Sequence, residues 1–252
     1  MIIEHINAIT YQYNNISIQY KSKKMSKLCT SKKCMIVSCA YGDIQTVKKC
    51  IENCMNINKQ IRGNIKKYYL HIACKYGQLD IVKLLMENGA NIHSKNIIEN
   101  TSIIIACMKG HKDIVKYLLD KGANVNDTNW WDHTSIYYAC LYNHYDIVKM
   151  LIENGANIYT KYDLNTISLF IIACRKSHIE IAKLLINNGI GDEYYAQCML
   201  KACVFNKHDV MKMLIEHCTD VNKLYNDKYN NTQNLLSYTC QYGMSVIIIQ
   251  NY

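Results

Sequence analysis

The sequence predicts an all-α repeat solenoid, a stack of helix-turn-helix units with short hairpin loops between them. One pattern recurs along the 252 residues: an Ala-Cys pair, a turn, an apolar helical stripe and Gly-Ala-Asn. Ala73, Ala106 and Ala139 begin this pattern in three copies at a constant spacing of 33 residues. The chain is 50% hydrophobic, which is enough apolar surface for a packed stack. In such a stack each unit buries its apolar face only against the units next to it.

The first helix of each unit is predicted from the copy that follows Thr101. Thr101 is suited to cap the helix, because its hydroxyl can accept from an unpaired backbone N–H. Ala106 and Cys107 are small and allow neighbouring units to approach closely. Gly110 follows and is expected at the position just past the helix end, where a left-handed backbone is common.

The second helix follows the turn. Ile114, Val115, Leu118 and Leu119 fall on one helical face and predict a single buried stripe. Gly122 is expected to end this helix. The residues after it, beginning with Asn124, must return the chain to the next unit as a hairpin loop.

Seven of the 13 cysteines share one repeat position and predict buried, unlinked thiols. Neighbouring helices lie roughly 8–10 Å apart, whereas a disulfide needs Cα atoms within about 7 Å. The other cysteines show no paired C-x-x-C spacing, so we expect no zinc site and no cofactor. Seven cysteines share one repeat position: Cys39, Cys74, Cys107, Cys140, Cys174, Cys203 and Cys240.

The repeated pattern resembles the ankyrin repeat. The copy starting at Thr101 reads Thr-x-Ile-x-x-Ala-Cys-x-x-Gly-His-x-Asp-Ile-Val, and the family signature is Thr-Pro-Leu-His-x-Ala. Ser102 and Ser135 stand where the family has Pro, and only His71 keeps the family His. The resemblance implies an array of about seven repeats over residues 34–252, the last incomplete. Residues 1–33 form a Lys-rich flank in which Thr10–Tyr20 alternates like a short hairpin.

The resemblance implies a non-catalytic scaffold that binds a partner protein through its concave face and hairpin tips. No nucleophile-base pair, Gly-rich phosphate loop or paired carboxylates occur, so we do not expect an enzyme. The start of the chain lacks a signal peptide, and no apolar run reaches the roughly 20 residues of a membrane span. We expect an intracellular protein. The composition also resembles ankyrin-repeat proteins of large A/T-rich DNA viruses that infect amoebae, which implies a partner in a host cell.

Two sets of residues are candidates for partner binding. Trp130, Trp131 and His133 lie in a loop expected to point outward, and Trp is enriched among interface residues that dominate affinity. The second set precedes the turn residue of each first helix and is expected to line the concave side. Its members are Tyr41, Tyr76, Lys109, Tyr142, Lys176, Phe205 and Tyr242.

The formal net charge of +9 leaves an alternative partner open. Residues 1–33 hold six lysines against the single acid Glu4, whereas the rest of the chain is nearly balanced. This flank could bind nucleic acid or another polyanion in a salt-sensitive way. A third role, adaptor for a ubiquitin-ligase complex, is disfavoured because no F-box-like segment follows the array. The flank lysines are Lys21, Lys23, Lys24, Lys27, Lys32 and Lys33.

Overall fold

The computed structural model describes residues 32–61, 68–159, 168–190 and 207–217, with residues 198, 202, 205, 225, 226, 232 and 233. These residues form eleven α-helices and two short strands. The chain divides into two compact units, residues 1–105 and 106–252. The elements are α1 Lys32–Tyr41, α2 Ile44–Glu52, α3 Tyr69–Lys75, α4 Leu79–Glu87, α5 Ser102–Lys109, α6 Lys112–Asp120, α7 Ser135–Leu141, α8 Tyr145–Glu153, α9 Leu169–Lys176, α10 Ile179–Asn187, α11 His208–His217, β1 Tyr225–Asn226 and β2 Thr232–Gln233.

The helices form repeating pairs that pack on their nearest neighbours. Within pairs, α1 packs on α2, α3 on α4, α7 on α8 and α9 on α10. In the first unit, α3 and α4 lie against α1 and α2 of the preceding pair. In the second unit, α8 packs between α6 and α10, and α7 packs on α9. The prediction of a helical repeat solenoid is confirmed.

The repeat position occupied by Ala-Cys is the centre of the first helix and is fully buried. Ala73, Ala106 and Ala139 lie in α3, α5 and α7 with no exposed surface. The three alanines occupy equivalent buried positions, which confirms the 33-residue spacing of the repeats. The described cysteines at the neighbouring position are buried and form no disulfide: Cys39, Cys74, Cys107, Cys140 and Cys174.

The second helices bury the predicted stripe. In α6, Ile114, Val115 and Leu118 are at most 1% exposed, while Leu119 is half-buried. The buried stripe is therefore one residue narrower than predicted, because only the side chains at i, i+1 and i+4 are fully covered. Truncating Leu118 to Ala would remove contacts of the kind that cost about 2–5 kcal/mol in protein cores.

The turns that the structure describes after the first helices use a left-handed residue, as expected. Gly110 has φ +76°, and Asn143 and Ser177 hold the same position at φ 62° and 60°. Gly reaches this conformation at no steric cost and Asn tolerates it. Gly122 ends α6 with φ +84°, which also matches the prediction.

The predicted cap at Thr101 is wrong in one respect. Thr101 does precede α5, but its buried hydroxyl has no hydrogen-bond partner. Thr134 likewise makes no side-chain cap bond, whereas Ser168, at the same position, accepts from the Ile171 N–H at 3.3 Å. The branched Thr side chain is restricted at χ1, while Ser can turn its hydroxyl toward the helix.

Asparagines in the hairpin loops join successive repeats within each unit. In the first unit, Asn58 donates to the Gly89 carbonyl at 2.7 Å and accepts from the Asn91 N–H at 2.8 Å. In the second, Asn126 accepts from the Asn157 N–H at 2.8 Å and also donates to a backbone carbonyl. The predicted hairpin at Thr10–Tyr20 lies outside the described residues, as does most of the predicted seventh repeat.

Candidate protein-binding site

The loop that carries the two tryptophans is built around one buried asparagine. Asn129 is 2% exposed, and its Oδ1 accepts from the N–H groups of Trp131 at 3.0 Å and His133 at 3.1 Å. Its Nδ2 donates to the Tyr138 hydroxyl at 2.9 Å. One side chain therefore closes the loop and ties it to α7. Buried polar groups of this kind are costly to leave unpaired.

Backbone bonds complete the same loop. The Asn129 N–H donates to the His133 carbonyl at 3.1 Å, and the Asp132 N–H donates to the Asn129 carbonyl at 3.0 Å. Asp132 takes a left-handed conformation with φ 58°. Asp is among the residues that tolerate this region. The tip is consequently held by hydrogen bonds that leave the tryptophan side chains unused.

The tryptophans project their rings into solvent. Trp130 is 70% exposed and Trp131 is 53% exposed. Scattered apolar side chains on a surface are ordinary, but adjacent exposed Trp residues on a braced loop are typical of an interaction site. The prediction that this loop points outward agrees with these exposures.

The rings behind the tip make a continuous series, which we call the aromatic run: Trp131, His133, Tyr137, Tyr138, Tyr142 and His144. His133 lies 6.4 Å from Trp131 and stacks on Tyr137 with centroids 3.7 Å apart. Tyr138 lies edge-on to His133 at 5.8 Å and stacks with Tyr142 at 6.5 Å. Tyr142 in turn lies 6.3 Å from His144. Offset and edge-to-face pairs of this kind stabilise a ring cluster.

The aromatic run unites two features that the sequence suggested separately. Tyr142 is 50% exposed and belongs to the set of residues before the turns. Ring contacts through His133 and Tyr138 connect it with the tryptophan loop inside a single repeat. Sequence reasoning placed Asn129 in the candidate loop but did not foresee its hydrogen bonds, and it missed Tyr137 and Tyr138 as parts of the site. The i, i+4 spacing of Tyr138 and Tyr142 was the available signal.

The remaining predicted residues are placed as follows. In the first unit, Tyr41 and Tyr76 are exposed, and the Lys75 Nζ lies 5.1 Å from the Tyr76 ring centroid. In the second unit, Lys109, Lys176 and Phe205 are exposed. Of the flank, Lys32 and Lys33 are exposed on α1. Tyr242, Lys21, Lys23, Lys24 and Lys27 lie outside the described residues.

The buried thiols are chemically quiet. Burial raises the pKa of Cys74 to about 12, although a hydrogen bond with Ser102 lowers it in part. Burial also raises the pKa of Cys140 above its usual range. The thiolate is the reactive form of Cys, so these side chains are poor nucleophiles at neutral pH.

The described residues offer little else that resembles a reactive site. Among them, no group of three His, Cys, Asp or Glu side chains is placed to hold a metal ion. A shallow cleft between α6 and α8 has mixed charge, and the Lys112 Nζ lies 3.1 Å from an Asp146 carboxylate oxygen there. None of the described helices has the length and apolar character needed to cross a bilayer.

Comparisons with known proteins agree with this architecture. The family model for ankyrin repeats, built on three copies, matches residues 5–96 and again residues 70–162, together more than half of the chain. The chain belongs to the ankyrin-repeat family. Ankyrin repeats are generally protein–protein interaction modules, and the fold is typically a non-catalytic scaffold.

Solved structures show the same fold. The crystal structure of the human ASB11 ankyrin repeat domain is similar to this ankyrin-repeat protein with a TM-score of 0.71 and 19% sequence identity. The similarity covers 86% of this chain and 97% of that domain. At this identity the likeness concerns the fold alone. No curated protein sequence matches the chain.

Proposed function

We propose that this ankyrin-repeat protein binds a partner protein through the exposed surface formed by Trp130, Trp131 and Tyr142. The observation that carries the proposal is the aromatic run, because its ring contacts connect two exposed side chains of one repeat, Trp131 and Tyr142. Rigid aromatic side chains lose little conformational entropy on binding and bury a large area. Tyr76, Lys109 and Lys176 are proposed as additional contacts.

The experiment is affinity capture followed by reconstitution. Wild-type protein and the triple variant Trp130→Ala/Trp131→Ala/Tyr142→Ala are used as baits in extracts, and partners that differ are purified and titrated. We expect the triple variant to lose at least about a hundredfold in affinity, because two or more interface anchors each contribute roughly 2 kcal/mol. Circular dichroism and urea unfolding verify that the variant remains folded.

The matched control lies in the equivalent loop one repeat earlier. Ile97 occupies the position of Trp130 and is 47% exposed. Ile97→Ala removes exposed apolar surface from a loop of the same construction, and we expect binding to be unchanged. Equal capture by wild type and the triple variant would place the binding surface elsewhere.

The alternatives remain predictions. Lys32 and Lys33 are exposed, but the other flank lysines lie outside the described residues. Deleting residues 1–31 separates polyanion binding from the protein-partner proposal: only the former should weaken, with a steep dependence on salt. The role in a ubiquitin-ligase complex and a host-cell partner of a viral protein rest on no described residue.

A further inference from the structure

The repeat with the aromatic run is depleted of positive charge in an otherwise basic chain. Between Lys121 and Lys149 the sequence holds Asp127, Asp132 and Asp146 but no Lys or Arg. Asp146 is paired with Lys112 at 3.1 Å. Asp127 accepts from the Asn124 side chain at 2.9 Å. Asp132 sits at the tryptophan tip and has no ion pair among the described residues.

The equivalent loop one repeat earlier shows what is different. There Glu99 stands at the position of Asp132 and also has a left-handed backbone, with φ 59°. Its carboxylate pairs with the Lys95 Nζ at 3.4 Å. Thirty-three residues later, Thr128 replaces that lysine. In the first loop Lys95 pairs with Glu99, whereas in the tryptophan loop Asp132, which directly follows the two exposed tryptophans in sequence, has no such ion pair among the described residues.

We infer that the Trp130–Trp131–Asp132 tip binds an arginine side chain of a partner peptide. This inference rests on the proposed function and specifies its chemistry. A cation is attracted to the face of an indole ring, and Trp is the best of the aromatic side chains for this contact. A carboxylate next to the rings supplies the complementary charge.

Arginine fits this combination better than lysine. Its planar guanidinium stacks on an aromatic face and offers a fork of N–H donors to a carboxylate at the same time. The ammonium of lysine is a compact, strongly hydrated charge that gains less from a flat ring. The exposed rings and Asp132 therefore favour a planar cation.

The test begins with selection of peptides from a random linear library displayed on phage. Wild-type protein is the target, and Trp130→Ala/Trp131→Ala protein removes peptides that bind elsewhere. We expect the remaining peptides to share one arginine. A representative peptide and its arginine→citrulline form are then titrated by intrinsic fluorescence. The two tryptophans of the loop are the only ones in the chain, so the signal reports on this site.

The citrulline peptide is expected to bind about tenfold more weakly, since it lacks the charge but keeps the shape. Asp132→Asn should weaken the arginine peptide by a similar factor and leave the citrulline peptide unchanged. Asn tolerates the left-handed backbone at this position, so the loop is preserved. Glu99→Gln in the equivalent loop is the matched control and should bind like wild type.

The outcomes separate this inference from the proposed function. Tryptophan-dependent peptides that lack arginine, or an Asp132→Asn variant with unchanged affinity, would overturn the arginine assignment and leave the protein-binding proposal standing. Identical peptide sets from wild type and the double tryptophan variant would overturn both.

Discussion

Two loops of this protein, Asn96–Asn100 and Asn129–His133, have the same backbone and different surfaces. In each, the first asparagine accepts from two backbone N–H groups through its Oδ1: Asn96 from Ile98 and Asn100, Asn129 from Trp131 and His133. In each, the fourth residue is left-handed. The hydrogen-bonded skeleton therefore repeats while the tip changes.

The tips of the two loops differ in side chains that take no part in these shared hydrogen bonds. One tip carries Ile97 and an internally paired Glu99, and the other carries Trp130 and an acid without such a pair. Asn129 is also more deeply anchored, because its Nδ2 reaches the Tyr138 hydroxyl. A repeat protein can thus keep one folding solution and vary its binding chemistry loop by loop.

The largest effect is expected from removing the asparagine side chains that close the two loops. Asn129→Ala should destabilise the protein by about 2–4 kcal/mol, because it leaves two backbone donors without their acceptor and removes the shorter of two hydrogen bonds described at the buried Tyr138 hydroxyl. Asn96→Ala should cost only about 1 kcal/mol, since Asn96 is half-buried and water can replace its amide. Urea unfolding followed by circular dichroism measures both. Equal losses would show that the anchor to Tyr138 adds nothing.

A smaller effect is expected from exchanging Lys95 and Thr128, which occupy the same position before the two loops. Thr128→Lys recreates the arrangement of Lys95 and Glu99 at Asp132, so arginine-peptide affinity should fall about threefold to tenfold. Folding stability should change by less than about 0.5 kcal/mol, because exposed ion pairs contribute little. Lys95→Thr is the reciprocal variant and should leave peptide binding unchanged. Fluorescence titration reports the affinities, and an unaltered affinity for Thr128→Lys would argue against the role of charge.

The smallest effect concerns the turns, where His144 and Gln78 occupy the same repeat position. Gln78 donates to the Ala40 carbonyl at 3.2 Å and cannot titrate. Burial lowers the pKa of His144, while a backbone hydrogen bond with Met108 raises it and the charge of His111 lowers it. The folded protein therefore favours neutral His144. Its contribution to stability is complete above the ordinary pKa of about 6.5 and is lost as the pH falls through the lowered value.

His144→Gln should consequently reduce the acid sensitivity of unfolding by a small amount. Urea midpoints of wild type and variant, compared at about pH 7.5 and about pH 5.5, measure this difference. A variant that loses as much stability on acidification as wild type would contradict the direction given for His144.

Much of the fold followed from local patterns in the sequence. The spacing of Ala73, Ala106 and Ala139 predicted one buried helix position, and Gly110 predicted the turn. The outward tryptophan loop was also predicted. The capping role of Thr101 was not correct, because the direction of a hydroxyl depends on the packing of the rest of its side chain.

The sequence by itself determined the period, the helices, the buried small residues and the two candidate sets of aromatic residues. Those features depend on residue type and spacing, and the same residue types recur at the same spacing in several repeats. Only the tertiary structure decided that Asn129 braces the tip, that His133 stacks on Tyr137 and that these rings connect the tip with Tyr142. Such contacts depend on rotamers and on how a loop folds back on its helix, which residue type and spacing do not specify.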